Sequence, residues 1–158
     1  MIDIDPSLTR RSALFAAVAS LLQPGTLFAD EKPVITVHKD PSCGCCSGWV
    51  KHLHNAGFVT KVMETKDIDA VKKRLGVPDD LAACHTAEVA GYIIEGHVPA
   101  AALKRFLAEK PNARGLAVPG MPVGSPGMEG GRPEKYDVVL FGPDGQRTYM
   151  SFIGEQSV

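Results

Sequence analysis

Short apolar runs and helical apolar stripes alternate along the chain from residue 34 onward. Val34–His38 is rich in β-branched residues and predicts a buried strand. From Cys45 to Ala56, apolar side chains recur at helical spacing, which predicts a helix that ends at Gly57. The next run, Phe58–Glu64, predicts a second strand. The folded region therefore opens with the order strand, helix, strand.

The middle of the chain continues this alternation. Asp67 is a favourable N-cap for a second helix, and Gly76 is a favourable residue to end it. The segment Ala87–Ile94 predicts a strand or a bent hairpin. Pro99 suits the first position of a third helix, which ends at Lys110-Pro111.

The last third of the chain lacks helical periodicity. Residues 111–135 hold six glycines and five prolines, which predicts a long loop, and loops of this length are usually functional or disordered. Tyr136–Phe141 and Gln146–Phe152 predict a C-terminal β-hairpin. The element order, with a helix that opens at a cysteine cluster after the first strand, is typical of an α/β, thioredoxin-like fold. We expect a central mixed sheet flanked by helices.

Composition and charge narrow the functional classes. A chain of 158 residues with 44% hydrophobic residues can build one domain with its own core. The net charge is −1, and lysines and arginines are thinly spread, so we expect no nucleic-acid partner. The single basic cluster, Lys72-Lys73-Arg74, is interpreted as the solvated face of the second helix.

The N-terminus has the pattern of an export signal. Arg10-Arg11 precedes an apolar stretch from Ala13 to Leu22, and the small residue Ala29 precedes a charged segment. The apolar stretch is too short to span a bilayer. We therefore expect residues 1–29 to be a signal of the twin-arginine or Sec type, with an uncleaved anchor as the alternative. In either case residues 30–158 are expected to be a domain outside the cytoplasm, without a membrane span of their own.

All cysteines lie in two short clusters, Cys43-Gly44-Cys45-Cys46 and Cys84-His85. Free core cysteines are usually scattered, so four unrelated structural cysteines are a disfavoured interpretation. The adjacent Cys45 and Cys46 would pair only through a strained ring. The first cluster opens the first predicted helix, where unpaired N–H groups and positive potential stabilise a thiolate.

Two kinds of chemistry fit these clusters. Closely packed thiolates suit a soft metal such as Cu(I), or Zn(II). Cys43-x-x-Cys46 also matches a redox motif. A plain disulfide oxidoreductase leaves Cys45 and Cys84 unexplained, and structural zinc sites usually use two separated cysteine pairs. The pattern alone therefore leaves a soft-metal site and disulfide chemistry open.

Several segments taken together resemble one bacterial family. The segments are Pro41-Ser42-Cys43-Gly44-Cys45-Cys46, Cys84-His85-Thr86, Gly91-Tyr92-Ile93-Ile94-Glu95-Gly96-His97-Val98-Pro99 and Gly115-Leu116-Ala117-Val118-Pro119-Gly120-Met121-Pro122. They resemble the CopG-type copper-resistance family, long catalogued as a domain of unknown function, over roughly Val34–Phe152. The resemblance implies a thioredoxin-like fold, a periplasmic location and copper bound in a cysteine-bridged cluster.

We therefore predict a periplasmic copper-binding protein that acts in copper resistance or homeostasis. The predicted ligands of Cu(I) are Cys43, Cys45, Cys46 and Cys84. Its expected partners are copper ions and other periplasmic copper-handling proteins. The alternative is a thiol-disulfide or copper oxidoreductase, in which Cys43 is the nucleophile and Cys46 the resolving thiol.

Four further residues are weaker candidates. His85 follows Cys84 directly, and His97 lies just before the third helix, so each is a candidate ligand or a hydrogen-bond partner of one. Met121 and Met128 lie in the long loop and could either ligate Cu(I) or cover the cluster as apolar side chains. The other histidines are interpreted as solvated surface residues: His38, His52 and His54.

Overall fold

A computed structural model describes residues 33–158. The export signal predicted for residues 1–29 lies outside the described residues. Within the described part of the chain, no helix is both long enough and apolar enough to cross a membrane.

Residues 33–158 form eight strands and three helices. The strands are β1 (Val34–Lys39), β2 (Val59–Glu64), β3 (His85–Val89), β4 (Tyr92–Glu95), β5 (Gly115–Ala117), β6 (Lys135–Gly142), β7 (Gly145–Ile153) and β8 (Gln156–Ser157). The helices are α1 (Gly44–Asn55), α2 (Ile68–Leu75) and α3 (Ala100–Glu109), with a short 3-10 turn at Asp79–Leu81.

All strands join one mixed sheet in the order β2-β1-β3-β4-β5-β6-β7-β8. The pairs β1/β2 and β4/β5 are parallel, and the other neighbours are antiparallel. The first parallel pair is connected through α1 and the second through α3, as parallel crossovers require. The predicted α/β architecture, with a mixed sheet and flanking helices, is confirmed.

The main core lies between the sheet and the helices α1 and α3. Trp49 and Leu53 of α1 and Phe106 of α3 are fully buried, and they pack with sheet residues such as Ile35 and Phe152. The Trp49 indole N–H donates to Val98 O at 2.8 Å, so its polar atom is satisfied inside the core. This bond joins the middle of α1 to the segment that precedes α3.

Local signals place both ends of α2 where the sequence predicts them, whereas Pro99 is the N-cap of α3 and not its predicted first residue. The Asp67 carboxylate accepts the Ala70 N–H at 3.0 Å at the start of α2. Gly76 ends α2 with a φ of 70° in the left-handed region. The predicted bent hairpin is confirmed as β3 and β4, joined at Ala90 and Gly91, both with positive φ.

The prediction of a loop over residues 111–135 is wrong in its N-terminal part. Gly115–Ala117 forms the buried strand β5 between β4 and β6, and the irregular segment covers residues 118–134. A Cβ at Gly115 would lie 1.8 Å from Ile93 O, so only glycine allows this strand pairing. Three buried residues show no alternation, and β5 therefore carries no periodic signal. The short strand β8 was also not predicted.

The interpretation of Lys72-Lys73-Arg74 as a solvated face is wrong for its first residue. Lys73 and Arg74 are exposed, but the Lys72 side chain is only 8% exposed. Its ammonium contacts the fully buried Glu95 carboxylate. A buried acidic partner from β4 thus draws this lysine inward, which a pattern local to the helix does not reveal.

Candidate metal centre

The turn between β1 and α1 places the first cysteine. The Asp40 carboxylate accepts the Ser42 N–H at 2.8 Å, and Asp40 O accepts the Cys43 N–H at 3.1 Å. The hydrogen bonds from the Ser42 hydroxyl and N–H lower the pKa of Asp40 below its ordinary value. Cys43 is then the N-cap of α1, and its Sγ accepts the Cys46 N–H at 3.3 Å.

Cys43 and Cys46 are joined in a disulfide, and Cys45 and Cys84 are free thiols. The Cys45 Sγ lies 3.5 Å from the Cys43 Sγ and 3.9 Å from the Cys84 Sγ. The free Cys45 thiol therefore lies close both to the disulfide and to Cys84.

Strand β3 brings Cys84 to this cluster. Cys84 immediately precedes β3, which pairs with β1 so that Lys39 lies opposite His85. The end of β1 and the start of β3 thus lie side by side at the edge where α1 begins. The Sγ atoms of all four cysteines lie within 4.8 Å of one another, so the convergence expected from the sequence is present.

Burial dominates the electrostatics of Cys84. Desolvation, followed by the neighbouring Cys45, raises the pKa of Cys84 to about 12. A free thiolate is therefore disfavoured at this position in the metal-free protein, whereas a bound cation would favour it.

His97 contacts the same sulfur. Its Nε2 lies 2.9 Å from the Cys84 Sγ, and its Nδ1 donates to Pro126 O at 2.7 Å. The carbonyl fixes the proton on Nδ1 and leaves the Nε2 lone pair toward the thiol, which is the usual arrangement of a metal-ligating histidine. Burial lowers the pKa of His97, which keeps the ring neutral.

His85 is a third buried group next to Cys84. Its Nδ1 lies 3.3 Å from the Cys84 Sγ, and its ring packs 4.4 Å from the Trp49 ring. Its Nε2 is buried without a hydrogen-bond partner among the described residues. Burial, followed by the His97 charge, lowers the pKa of His85 well below its ordinary value. Cys84, His85 and His97 thus form a second set of donors that shares one sulfur with the first.

The two loop methionines differ from each other in exposure. Met121 is 52% exposed, and Met128 is half-buried in a turn where its N–H donates to Ser125 O at 2.8 Å. A place over the cysteines stays a prediction for both thioethers.

The loop does pack against the start of α1. A Cβ on Gly127 would lie 2.4 Å from Cys45 O and 2.8 Å from Trp49 N, and a Cβ on Gly48 would lie 2.9 Å from the Gly127 Cα. The backbones of α1 and the loop can approach so closely only because Gly48 and Gly127 both lack a side chain. Together with the bond from His97 to Pro126 O, this contact fixes the loop beside the cysteine cluster.

We expect Gly127→Ala to destabilise the protein more than Gly145→Ala. Both glycines have a φ of 91°, but a Cβ at Gly145 meets no atom within 4 Å. Gly145→Ala therefore measures backbone strain, about 1–2 kcal/mol, and Gly127→Ala adds a backbone clash of about 1–3 kcal/mol. Urea unfolding of the two variants tests this expectation. Equal losses would mean that the loop does not rest on α1 in solution.

The other histidines only partly match their interpretation as solvated residues. His54 is exposed, as expected. His38 is partly buried and contacts Glu88 at 2.9 Å. His52 is also partly buried, and its Nε2 accepts the Ala100 N–H at 3.0 Å at the start of α3. The reason is that α1 and β1 pack against other elements on these faces.

The donor set fits a soft, thiophilic ion. The four cysteine sulfurs lie within 4.8 Å of one another. The neutral His97 ring directs its lone pair toward Cys84, and the buried His85 Nε2 has no hydrogen-bond partner among the described residues. Sulfur and imidazole donors gathered in this way are typical of a metal site. Cu(I) and Zn(II) both accept thiolate and imidazole ligands. The Cys43–Cys46 disulfide must be reduced before all four sulfurs can serve as ligands.

Comparison with known proteins finds similar structures that are named for copper resistance. A family model described as "Protein of unknown function, DUF411" matches residues 81–128. No curated protein sequence matches the chain. Two solved structures named copper resistance protein CopG, form 2 and form 1, are each 46% identical to it with a TM-score of 0.73. The alignments cover 77% and 78% of this chain and 99% and 100% of those chains.

Proposed function

Because the chain belongs to the CopG family of copper resistance proteins, we propose that it binds Cu(I) through Cys43, Cys45, Cys46 and Cys84. The observation that carries this proposal is the position of Cys84. Strand β3 places its Sγ 3.9 Å from the Cys45 Sγ, although the two residues are 39 positions apart. A redox pair alone gives no reason for this fourth sulfur.

Soft sulfur donors support the choice of Cu(I) over harder ions. Thiolates bind Cu(I) strongly and can bridge neighbouring ions, so a compact group of four suits more than one copper. His97 and His85 are placed to complete the coordination or to stabilise the thiolates by hydrogen bonds. Zinc is the less favoured ion, because adjacent Cys45 and Cys46 differ from the separated pairs of structural zinc sites.

A second function is favoured by the disulfide itself. Cys43 and Cys46 are paired at the N-terminus of α1, where the helix dipole favours a thiolate. In a thiol-disulfide or copper oxidoreductase, the half-buried Cys43 would be the nucleophile and the buried Cys46 the resolving thiol. Cys45, 3.5 Å from Cys43, and Cys84 would be accessory thiols.

Metal content and thiol count together separate copper binding from metal-free thiol-disulfide chemistry. Protein purified without oxygen in the presence of copper should retain copper after desalting, and all four thiols should be protected from alkylation. A disulfide oxidoreductase would instead emerge without metal and with only Cys43 and Cys46 cycling between thiol and disulfide. Retention of zinc in excess copper would reject the copper proposal.

We also propose that residues 1–29 direct export and that residues 30–158 act in the periplasm as a metal-binding domain. An oxidising compartment closes free dithiols, so bound copper or a reductant would be needed to keep the four cysteines as ligands. Suitable partners are other periplasmic proteins that pass copper ions between sulfur ligands.

We propose that the irregular segment 118–134 covers the metal site with Met121 and Met128. Replacing both with Ala should preserve the fold and the four thiols and should speed copper loss to a chelator at least about three-fold, because water and competing ligands gain access. Stopped-flow transfer to a chromophoric Cu(I) chelator measures the rate.

Leucine variants separate the two possible roles of these methionines. Leu preserves the apolar volume but offers no sulfur. Copper retention restored by the double Leu variant would make the segment a shield, and loss equal to that of the double Ala variant would make the thioethers ligands. Parental rates in the double Ala variant would reject both roles.

A further inference from the structure

A buried ion pair lies directly behind the Cys84-His85 segment. The Lys72 Nζ on α2 contacts the Glu95 carboxylate at the end of β4 at 2.5 Å. Glu95 is fully buried, and the Lys72 side chain is 8% exposed. Removing two charges from water is costly, and an apolar pair of similar volume is often equally stable or more so. Such a pair therefore points to a role other than stability.

The Glu95 carboxylate holds both flanks of Cys84-His85. One oxygen accepts the Ala83 N–H at 2.6 Å, and the other accepts the Thr86 hydroxyl at 2.6 Å. Ala83 directly precedes Cys84, and Thr86 directly follows His85. Thr86 also lies opposite Glu95 in the β3–β4 register. A single carboxylate thus fixes the segment that carries the fourth sulfur.

Lys72 fixes the carboxylate in turn. Its ammonium donates to the Thr86 hydroxyl at 2.9 Å as well as to Glu95. The Thr86 hydroxyl therefore accepts from Lys72 and donates to Glu95, so hydroxyl, carboxylate and ammonium form a closed network. The network joins α2, β3 and β4 directly behind the donors.

We propose that Glu95, held by Lys72, is a positioning residue that keeps the Cys84 Sγ within reach of Cys45. The inference rests on the proposed role of the four cysteines in binding copper. Without the carboxylate, the Ala83 N–H loses its partner and the segment before β3 is no longer fixed at that end. Small displacements of a reacting or ligating atom have large effects, so the position of Cys84 is the quantity to measure.

The test uses metal-free protein, so it does not depend on copper. In a full-length background with Cys43→Ser and Cys46→Ser, Cys45 and Cys84 are the only thiols. The diazene oxidant diamide accepts two electrons and two protons from them and becomes the hydrazine, while the Cys45–Cys84 disulfide forms. The rate of this reaction, followed by mass spectrometry of quenched samples, reports how well the two sulfurs are placed.

Two matched variants isolate the hydrogen bonds from the charges. Lys72→Met with Glu95→Gln removes both charges, but the glutamine can still accept from the Ala83 N–H and donate to the Thr86 hydroxyl. Lys72→Met with Glu95→Leu is equally uncharged and has neither bond. Because no buried charge is left unpaired, both variants should fold. We expect the variant with Glu95→Gln to react within about three-fold of the parent and the variant with Glu95→Leu at least about ten-fold more slowly.

Equal rates in these two double variants would overturn the inference, because Cys84 would be placed without the carboxylate. Urea unfolding in parallel separates a loss of position from a loss of stability. Copper retention in the four-cysteine background then tests the proposed function separately. If the parent retains no copper, the proposed function fails, whereas the inference fails only on the diamide rates.

Discussion

Cys84→Ser should reduce copper affinity about as strongly as Cys43→Ser. The Cys84 sulfur lies 3.9 Å from the Cys45 sulfur and 2.9 Å from the His97 Nε2, so its loss removes the donor common to both sets. Serine is a hard and poor ligand for Cu(I). We expect a loss of at least about a hundred-fold, since residues that merely support a ligand already contribute about ten- to a hundred-fold. Competition with a Cu(I) chelator under anaerobic conditions measures the affinity.

Ser47→Ala is the matched control for this experiment. Ser47 lies in the first turn of α1 and is exposed, with its hydroxyl 3.3 Å from Cys43 O. Its loss should leave copper affinity and the unfolding midpoint nearly unchanged. Parental copper affinity in Cys84→Ser, with the fold intact, would show that β3 does not contribute to the metal site.

Oxidised protein should take up far less Cu(I) than reduced protein. The Cys43–Cys46 disulfide withdraws two of the four sulfurs and leaves Cys45 and Cys84 as free thiols. Two thiols can hold at most a weaker and smaller site, so we expect at least about a ten-fold loss in affinity and a lower stoichiometry. A phosphine reductant that is removed by desalting before copper is added should restore both, because it opens the disulfide and leaves no competing soft ligand in solution.

Alkylation before and after reduction checks that the disulfide is the cause. Reduced, metal-free protein should accept four alkyl groups, and oxidised protein should accept two, on Cys45 and Cys84. The double variant Cys43→Ser with Cys46→Ser should bind copper weakly whether or not reductant is present. Uptake that is equal in the oxidised and reduced parent would mean that Cys43 and Cys46 are not ligands.

Local chemistry made several elements predictable. Asp67 and Gly76 define the ends of α2 through bonds and dihedral angles within a few residues, and the cap of α1 at Cys43 depends on its own first turn. The cysteine clusters were visible because their spacing in the chain is short. The convergence of Cys84 with the first cluster is expected from the fold pattern and the family resemblance, and not from the spacing of the cysteines along the chain.

Features that depend on distant partners were missed or only weakly predicted. Strand β5 exists because Gly115 lets β4 approach, and Lys72 is buried because Glu95 lies beneath it. The contact of His97 with Cys84 also depends on Pro126, which lies 29 positions away in the loop. In each case tertiary packing decides the position of a residue whose local sequence favours a different interpretation.

Anaerobic titration of the reduced protein with Cu(I), against a competing chelator, tests the central claim most directly. Four bridging thiolates within 4.8 Å of one another should bind more than one Cu(I) per chain, with all four cysteines protected from alkylation at the endpoint. A sharp endpoint at one copper per chain, or zinc retained against excess Cu(I), would contradict a cysteine-bridged copper site.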